Sequence, residues 1–549
     1  MERLHQEPYL LSLEKNGHVE GITMRSSSSR NSLCHFFGGV RYALPPSERW
    51  RKAEPLPPTY MYGTQTQAAK CSTGTNVCPQ PNFLGQLDKS KWDEDCFQSN
   101  IWVPAKKAPK DGWPVFVFFH GGFMQFGSPN GFCMAGLLGE TEFDAIVVVP
   151  AYRLNLFGFL YSKELQQDAF SVKETGGNYG LWDQRLALEW VRDSIHLFGG
   201  DSRRITVAGY SAGAYSVFHQ LAYDLRQPAD RAIIKGAVMW SNGPGFQPKS
   251  PAEAQVQFNE LLSVLRIPAS LPGNDKLARL RALPAEQLVE AISSPNLRLH
   301  QFRPVTDSAF IPPSLFQSLS SGEIAHRLRQ RNIRLILGEC SNEPALYSLW
   351  RPPLENTLPS LRQRLEADYQ SSVVNALVSA YFPSGELPPH CANWNREAFA
   401  KVYADMQIHV SQRGLVHALV QGGASHLLYR YRIEFRAKCV DQVYPPEFGA
   451  THVTDQYLWF WGNQFELEEN EKPAVRSALV SPLAKFVQGQ EHIDWGTRSH
   501  REFRTLTSDG RVEIKRDLLW DSALKTWATL QHTSGTDSHR HDTSRASRL

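Results

Sequence analysis

An α/β fold, in which a central, mostly parallel sheet carries helices on both faces, is predicted by three observations. Apolar runs at residues 115–119 and 145–149 are short and unbroken, as expected of strands covered on both faces, and 205–208 and 333–337 are further short, mostly apolar segments. Between the second and third runs the spacing turns helical: Leu181, Trp182, Leu186, Trp190, Val191 and Ile195 share one broad face across residues 178–198. Strand, crossover helix and strand in succession is how parallel neighbours are joined. The third observation is Gly209-Tyr210-Ser211-Ala212-Gly213, which lies where the run at 205–208 gives way to a helical stretch from Ala212.

No break in composition divides the 549 residues, so one large domain over 1–531 with long insertions is expected. Residues 532–549 are Ser, Thr, His, Arg and Asp with little to bury, and are expected to be disordered. A net charge of +3 with both signs mixed argues against nucleic acid or an anionic membrane as partner. No apolar run reaches the length of a membrane span. The first residues lack a basic stretch followed by an apolar core, so no signal peptide and an intracellular location are expected. The eight cysteines are scattered without metal-ligand spacing, and most are expected to be thiols. No metal or organic cofactor is implied.

The chain opens with short alternating runs over 8–45, punctuated by Gly17 and Gly21, which predict an antiparallel entry. Residues 60–92 read as loop, and 100–104 as a short strand. The run at 115–119 ends in His120-Gly121-Gly122-Phe123-Met124-Gln125-Phe126-Gly127. Beyond Leu225 the pattern is helical and irregular, with proline-rich joints at 268–272, 312–313 and 352–353. A strand at 427–435 and a loop at 445–452 precede a last amphipathic portion ending near Trp527.

Chemistry enters at Ser211. A serine between two glycines on a strand-to-helix turn has strained backbone, and its hydroxyl is pushed out above the sheet beside helix amides. Such a hydroxyl is a poor nucleophile unless a base, a group orienting the base and donors for an oxyanion are present. The glycine-rich segment after residue 119 supplies candidate donors, the amides of Gly122 and Phe123, beside that of Ala212.

These segments together resemble the carboxylesterase/cholinesterase family, the type-B carboxylesterases and lipases on the α/β-hydrolase fold. The resemblance spans residues 37–46, Glu94-Asp95-Cys96, 120–127, Tyr152-Arg153-Leu154, 177–185, Phe198-Gly199-Gly200-Asp201 and 209–213. Tyr210 in the serine pentad and the short loops are most similar to fungal members. The resemblance implies Ser211 as nucleophile. It implies Glu343 as acid, in Gly338-Glu339-Cys340-Ser341-Asn342-Glu343-Pro344, where Cys340, Asn342 and Pro344 depart from the family pattern and Glu339 is the alternative. It implies His452 as base, in Gly449-Ala450-Thr451-His452, with Asp455 where the family often has Glu. His120, His219 and His426 read as structural.

Met124, Phe126, Tyr210, Trp240 and Trp459 are candidates for an apolar gorge, although any one of them is as readily ordinary core. No choline site is matched. Cys78 and Cys96 resemble the family's N-terminal disulfide, with thiols the alternative in a reducing compartment. Ser547-Arg548-Leu549 resembles a peroxisomal address, which implies an import receptor as partner. The expected activity is hydrolysis of a small-to-medium apolar carboxylic ester. The fungal likeness would make this a metabolite ester or lactone of a specialised pathway. The alternatives are a lipase-like or acyl-CoA thioester hydrolase, and a catalytically silent binding protein.

Overall fold

Four antiparallel strands lead into the sheet: β1 (Leu4–Ser12), β2 (His18–Ser26), β3 (Ser32–Arg41) and β4 (Gln98–Pro104). The central strands follow as β5 (Trp113–Phe119), β6 (Ile146–Pro150), β7 (Gly200–Tyr210), β8 (Ile234–Trp240), β9 (Arg334–Cys340) and β10 (Leu428–Ile433). A hairpin of β11 (Glu502–Leu506) and β12 (Val512–Arg516) closes the far edge. The spatial order is β1-β2-β3-β4-β6-β5-β7-β8-β9-β10-β11-β12, with the short segment Ala69–Lys70 added beside β2. Pairing is parallel from β6 through β11 and antiparallel at both edges. The computed structural model describes residues 4–83 and 88–536, with side chains through 531.

The apolar runs are strands with both faces covered, and alternation divides them between two cores. Val115, Val117, Val207, Met239 and Leu337 pack on one face with the helices α1 (Tyr179–Ser194) and α2 (Ala212–Leu225). Phe116, Phe118, Ala208, Trp240 and Ile336 pack on the other, with residues from 458–487. The helix predicted over 178–198 is α1 continued by a 3₁₀ turn, Ile195–Phe198.

Two points go beyond the sequence expectation. The β11–β12 hairpin occupies part of the amphipathic portion before Trp527. Each of its strands is five residues long with two apolar residues, too short a run for periodicity to reveal. The Asp509-Gly510 turn is the local signal that does. The last helix runs Trp520–Thr536, past the boundary set at 531. The rest of the predicted tail, with Ser547-Arg548-Leu549, lies outside the described residues. Among the described residues no helix is long and apolar enough to cross a membrane.

A buried ion network fastens β9 to the last elements. Arg413, in the helix Val410–Gln421, donates to Glu339 at 2.8 and 3.0 Å and to Asp517 at 2.8 and 3.1 Å, and Arg430 of β10 donates to Asp517 at 2.6 Å. Glu339, Arg413 and Asp517 are almost wholly withdrawn from water, where such charges persist only as partners. Replacing Arg413 by Met leaves Glu339 with Arg432 at 3.3 Å and Asp517 with Arg430, each short of its main partner, with an expected loss of about 3–5 kcal/mol. Urea unfolding measures this, and a loss well under 1 kcal/mol would contradict the role given to the network.

Candidate active site

Ser211 stands between β7 and α2 with φ 54° and ψ −123°, a conformation that L-residues rarely hold. The flanking glycines are sterically required. A Cβ on Gly209 would lie 2.3 Å from the Gly213 carbonyl group, and one on Gly213 would lie 1.9 Å from the Phe119 carbonyl oxygen at the end of β5. Real Cβ atoms do not approach so closely. The Ser211 amide donates to the Trp240 carbonyl at 2.9 Å, and its carbonyl accepts from Tyr215 at 3.1 Å. The bend is therefore bonded on both sides.

The loop after β5 passes over the same point. Gly122 has φ +108°, and Phe123 and Met124 also lie in the left-handed region at 58° and 65°. His120 stacks on Tyr152 at 4.4 Å, and the Tyr152 hydroxyl donates to the His120 carbonyl at 2.8 Å. Gln80 fixes the far end, accepting from the Gly127 amide at 2.7 Å. It stands two residues beyond Cys78, which is disulfide-bonded to Cys96 with their Cα atoms 5.4 Å apart. The amides of Gly122, Phe123 and Ala212 have no protein acceptor among the described residues. The loop that carries two of them runs close to the serine turn, where a Cβ on Gly121 would lie 3.0 Å from the Ser211 Cβ.

His452 comes from the loop after Gly449, which is clipped to the loop after β9. Asn342 donates its amide to the Ala450 carbonyl at 2.9 Å and its side chain to the Phe448 carbonyl at 2.9 Å, while the Thr451 hydroxyl donates to the Asn342 carbonyl at 2.6 Å. Asn342, one of the departures from the family pattern, thus ties together the two loops that carry Glu343 and His452. Pro344 opens the short helix Pro344–Tyr347, where its missing N–H costs nothing.

The three side chains meet. Glu343 accepts from the Cys340 amide at 2.7 Å and from His452 Nδ1 at 2.6 Å. With its Nδ1 proton so engaged, neutral His452 presents Nε2 as an acceptor, 2.8 Å from Ser211 Oγ. Glu343 is fully buried, and Ser211 and His452 are 3% and 1% exposed, so bulk water does not compete for these bonds. The other candidate acid, Glu339, points to Arg413 and Arg432 instead. Those arginines and His409 hold its carboxyl far below the usual range, against the opposing effect of burial.

Around His452 the structure joins Tyr210 and Phe126 to residues that the sequence does not single out. Its ring lies between those of Tyr210 at 4.9 Å and Tyr347 at 4.6 Å, and the Tyr347 hydroxyl reaches Nε2 at 3.3 Å. Phe123 stacks on Trp350 at 4.3 Å with 8° between the planes, and Phe126, Phe83 and Tyr403 complete an aromatic wall. Of the gorge candidates, Phe126 and Tyr210 therefore flank the site. Met124 is buried under the loop, its sulfur 3.9 Å from the Ser216 hydroxyl. Trp240 and Trp459 do not join it: they stack on each other at 4.9 Å and pack against Phe460 in the other core. Strand alternation explains this, since Met239 takes the face shared with α2 and Trp240 the opposite one. Tyr347 had a weak local signal, standing one helical turn beyond Glu343.

Comparison places this arrangement in a class and then in a family. The structure of Aspergillus niger EstA superposes with a TM-score of 0.73 at 20% identity, over 96% of this chain and 98% of that one, which gives the α/β-hydrolase fold. The model of the carboxylesterase family matches residues 10–517. A carboxylic ester hydrolase of Gibberella moniliformis is 44% identical over 95% of this chain and 96% of its own length. An esterase/lipase of Schizosaccharomyces pombe is 37% identical over 97% and 98%, and the para-nitrobenzyl esterase of Bacillus subtilis is 30% identical over 91% and 95%. The chain belongs to the carboxylesterase family, as a type-B carboxylesterase.

A second carboxyl lies behind the first. Burial, with the Glu343 charge adding, pushes Asp455 up to about 8, while Ser241 and Tyr431 donate to it at 3.2 and 3.3 Å. At neutral pH it keeps its proton, whereas in the unfolded chain it titrates near about 4. The folded state thus binds this proton more tightly, so its contribution to stability is full below about pH 4 and declines as the pH rises towards about 8. Asp455→Asn removes that decline. Its urea midpoint should gain on the wild type between pH 5 and pH 8, and an equal difference at both pH values would contradict the assignment.

Proposed function

We propose that Ser211, His452 and Glu343 hydrolyse a carboxylic ester through an acyl-enzyme. The observation that carries this reading is the continuous bonding from Glu343 through His452 to Ser211. His452 Nε2 takes the hydroxyl proton as Ser211 Oγ attacks the ester carbonyl. Glu343 holds the imidazole in the required tautomer and stabilises the imidazolium. The oxyanion is received by the amides of Gly122, Phe123 and Ala212, each contributing about 3 kcal/mol by analogy with single-donor deletions. His452 then protonates the leaving alcohol, and water repeats the sequence on the acyl group.

The wall of Phe123, Phe126, Tyr347 and Trp350 favours an apolar group next to the carbonyl. A plain aliphatic or aryl ester suits it better than a sugar ester, whose hydroxyls would lose water without finding partners. A peroxisomal destination rests on Ser547-Arg548-Leu549 alone, and with it a thioester or lipase-like range; a chain-length series of nitrophenyl esters followed by acyl-CoA separates these from a short-chain esterase. The silent-binding reading is disfavoured by the joined Ser211, His452 and Glu343.

Ser211→Ala should lower kcat by about 10⁶-fold and Glu343→Gln by about 10⁴-fold, with folding retained by circular dichroism. Hydrolysis of nitrophenyl butyrate is the assay. A folded Ser211→Ala protein that keeps its rate would remove the mechanism.

A further inference from the structure

Behind the aromatic wall lies a cavity of about 620 Å³ whose lining differs in kind from the site. Arg298, His300, Arg351, Arg364 and Arg396 face it, and among the described residues that line it none is acidic. Arg298 is engaged by Glu260 and Glu366 on the protein surface. Arg364 and Arg351 are the informative pair.

The Arg364 side chain is only 3% exposed and spends Nη1 on Asp368 and Nε on the Arg351 carbonyl at 2.6 Å, whereas its buried Nη2 has no partner. Asp368 is already shared with Arg303 at 2.9 Å, so the one nearby carboxylate serves two guanidiniums. Among the described residues Arg351 has no carboxylate partner. Its hydrogen bonds are long ones, to the Ile292 carbonyl at 3.3 Å and the Ser293 hydroxyl at 3.5 Å. Burial and the Arg364 charge push the Arg351 guanidinium down to about 10, and burial with both arginines pushes His300 down to about 3. Buried cations and donors are normally satisfied, and leaving them unpaired costs more than most contacts return. A site with surplus positive charge and an idle buried N–H is arranged for an anion.

Its position relates it to the reaction. Arg351 follows Trp350, and its guanidinium lies 5.6 Å from that ring, which is itself stacked on Phe123 of the glycine-rich loop. Arg364 lies 5.2 Å from the Tyr403 ring, which in turn meets Tyr347 beside His452. Two packed rings separate each arginine from the site, Trp350 and Phe123 for Arg351 and Tyr403 and Tyr347 for Arg364.

We propose that this cavity, set behind the packed rings of Trp350 and Tyr403, is an oxyanion-binding site that receives a carboxylate or phosphate, either free or carried at the remote end of an ester substrate. Planar guanidiniums match such oxyanions with paired charge-assisted bonds. An ester with an acidic terminus is the substrate class where the ligand comes from the reaction, and that part of the inference rests on the reading of Ser211 as nucleophile; the binding part does not.

Two measurements on the full chain test it. The first is calorimetric titration of wild type with glutarate and, separately, inorganic phosphate, repeated on Arg351→Gln and Arg351→Lys. The second is the ratio of kcat/KM for esters bearing a terminal carboxylate to that for neutral esters of equal length. Both nitrophenyl hemiesters of dicarboxylic acids and butyrate esters of ω-hydroxy acids are used, so that either arm of the substrate can carry the charge. Binding weakened at least tenfold in Arg351→Gln and partly restored in Arg351→Lys is expected. With it, a wild-type ratio of about 10 to 100 should fall towards one in the Gln variant. Binding with that dependence but no ester preference identifies a free anion as the ligand of the same site. Absence of both, or binding indifferent to Arg351, overturns the proposal. Loss of the hydrolytic reading through an active Ser211→Ala protein would leave the titration result standing.

Discussion

Everything at the centre depends on how closely three stretches of backbone approach. Gly213 lies against the end of β5, Gly209 against Gly213, and Gly122 against the Phe126 carbonyl, where an added Cβ would lie 1.9 Å away. No side chain fits at these positions. The glycines therefore set the distance between Ser211 and the amides that face it, and they do so before any side chain is placed. The sheet supplies the platform: parallel strands deliver their loops to one edge, so residues more than a hundred positions apart arrive at the same point.

Around this rigid centre the supports differ in kind. Hydrogen bonds between backbone segments clip the loop of His452 to that of Glu343, and the Cys78–Cys96 disulfide with Gln80 fastens the glycine-rich loop. Charge is handled by separation. Glu339 is neutralised by arginines at the side of β9, Asp455 keeps its proton, and Glu343 remains as the carboxylate that faces His452. Glu339 and Glu343, four positions apart in sequence, are thus given different work by the partners that surround them, the first on β9 and the second beyond its end.

How much of this was legible follows from the same physics. Ser211, the glycine-rich loop and the order of Glu343 and His452 could be read because close backbone approach forces glycine and leaves a local pattern. The choice between Glu343 and Glu339 was less secure in sequence, since the loop departs from its family at Cys340, Asn342 and Pro344; the geometry brings Glu343 to His452. The pocket was largely illegible. Tyr347, Trp350 and Tyr403 come from insertions where no spacing rule applies, and which face Trp240 takes depends on a register that an apolar run at the end of β8 does not reveal. The strands of the β11–β12 hairpin are too short for their alternation to stand out, and the unpaired arginines behind the wall are conspicuous only once their neighbours are known.

The central claim is that His452 activates Ser211 at this junction. The most direct measurement is reaction with a fluorophosphonate followed by peptide mass mapping, carried out on the wild type and on His452→Ala. The account predicts a single adduct on the peptide carrying Ser211, formed at least a thousandfold more slowly without the imidazole. An adduct on another serine, or equal labelling rates in the two proteins, would contradict it.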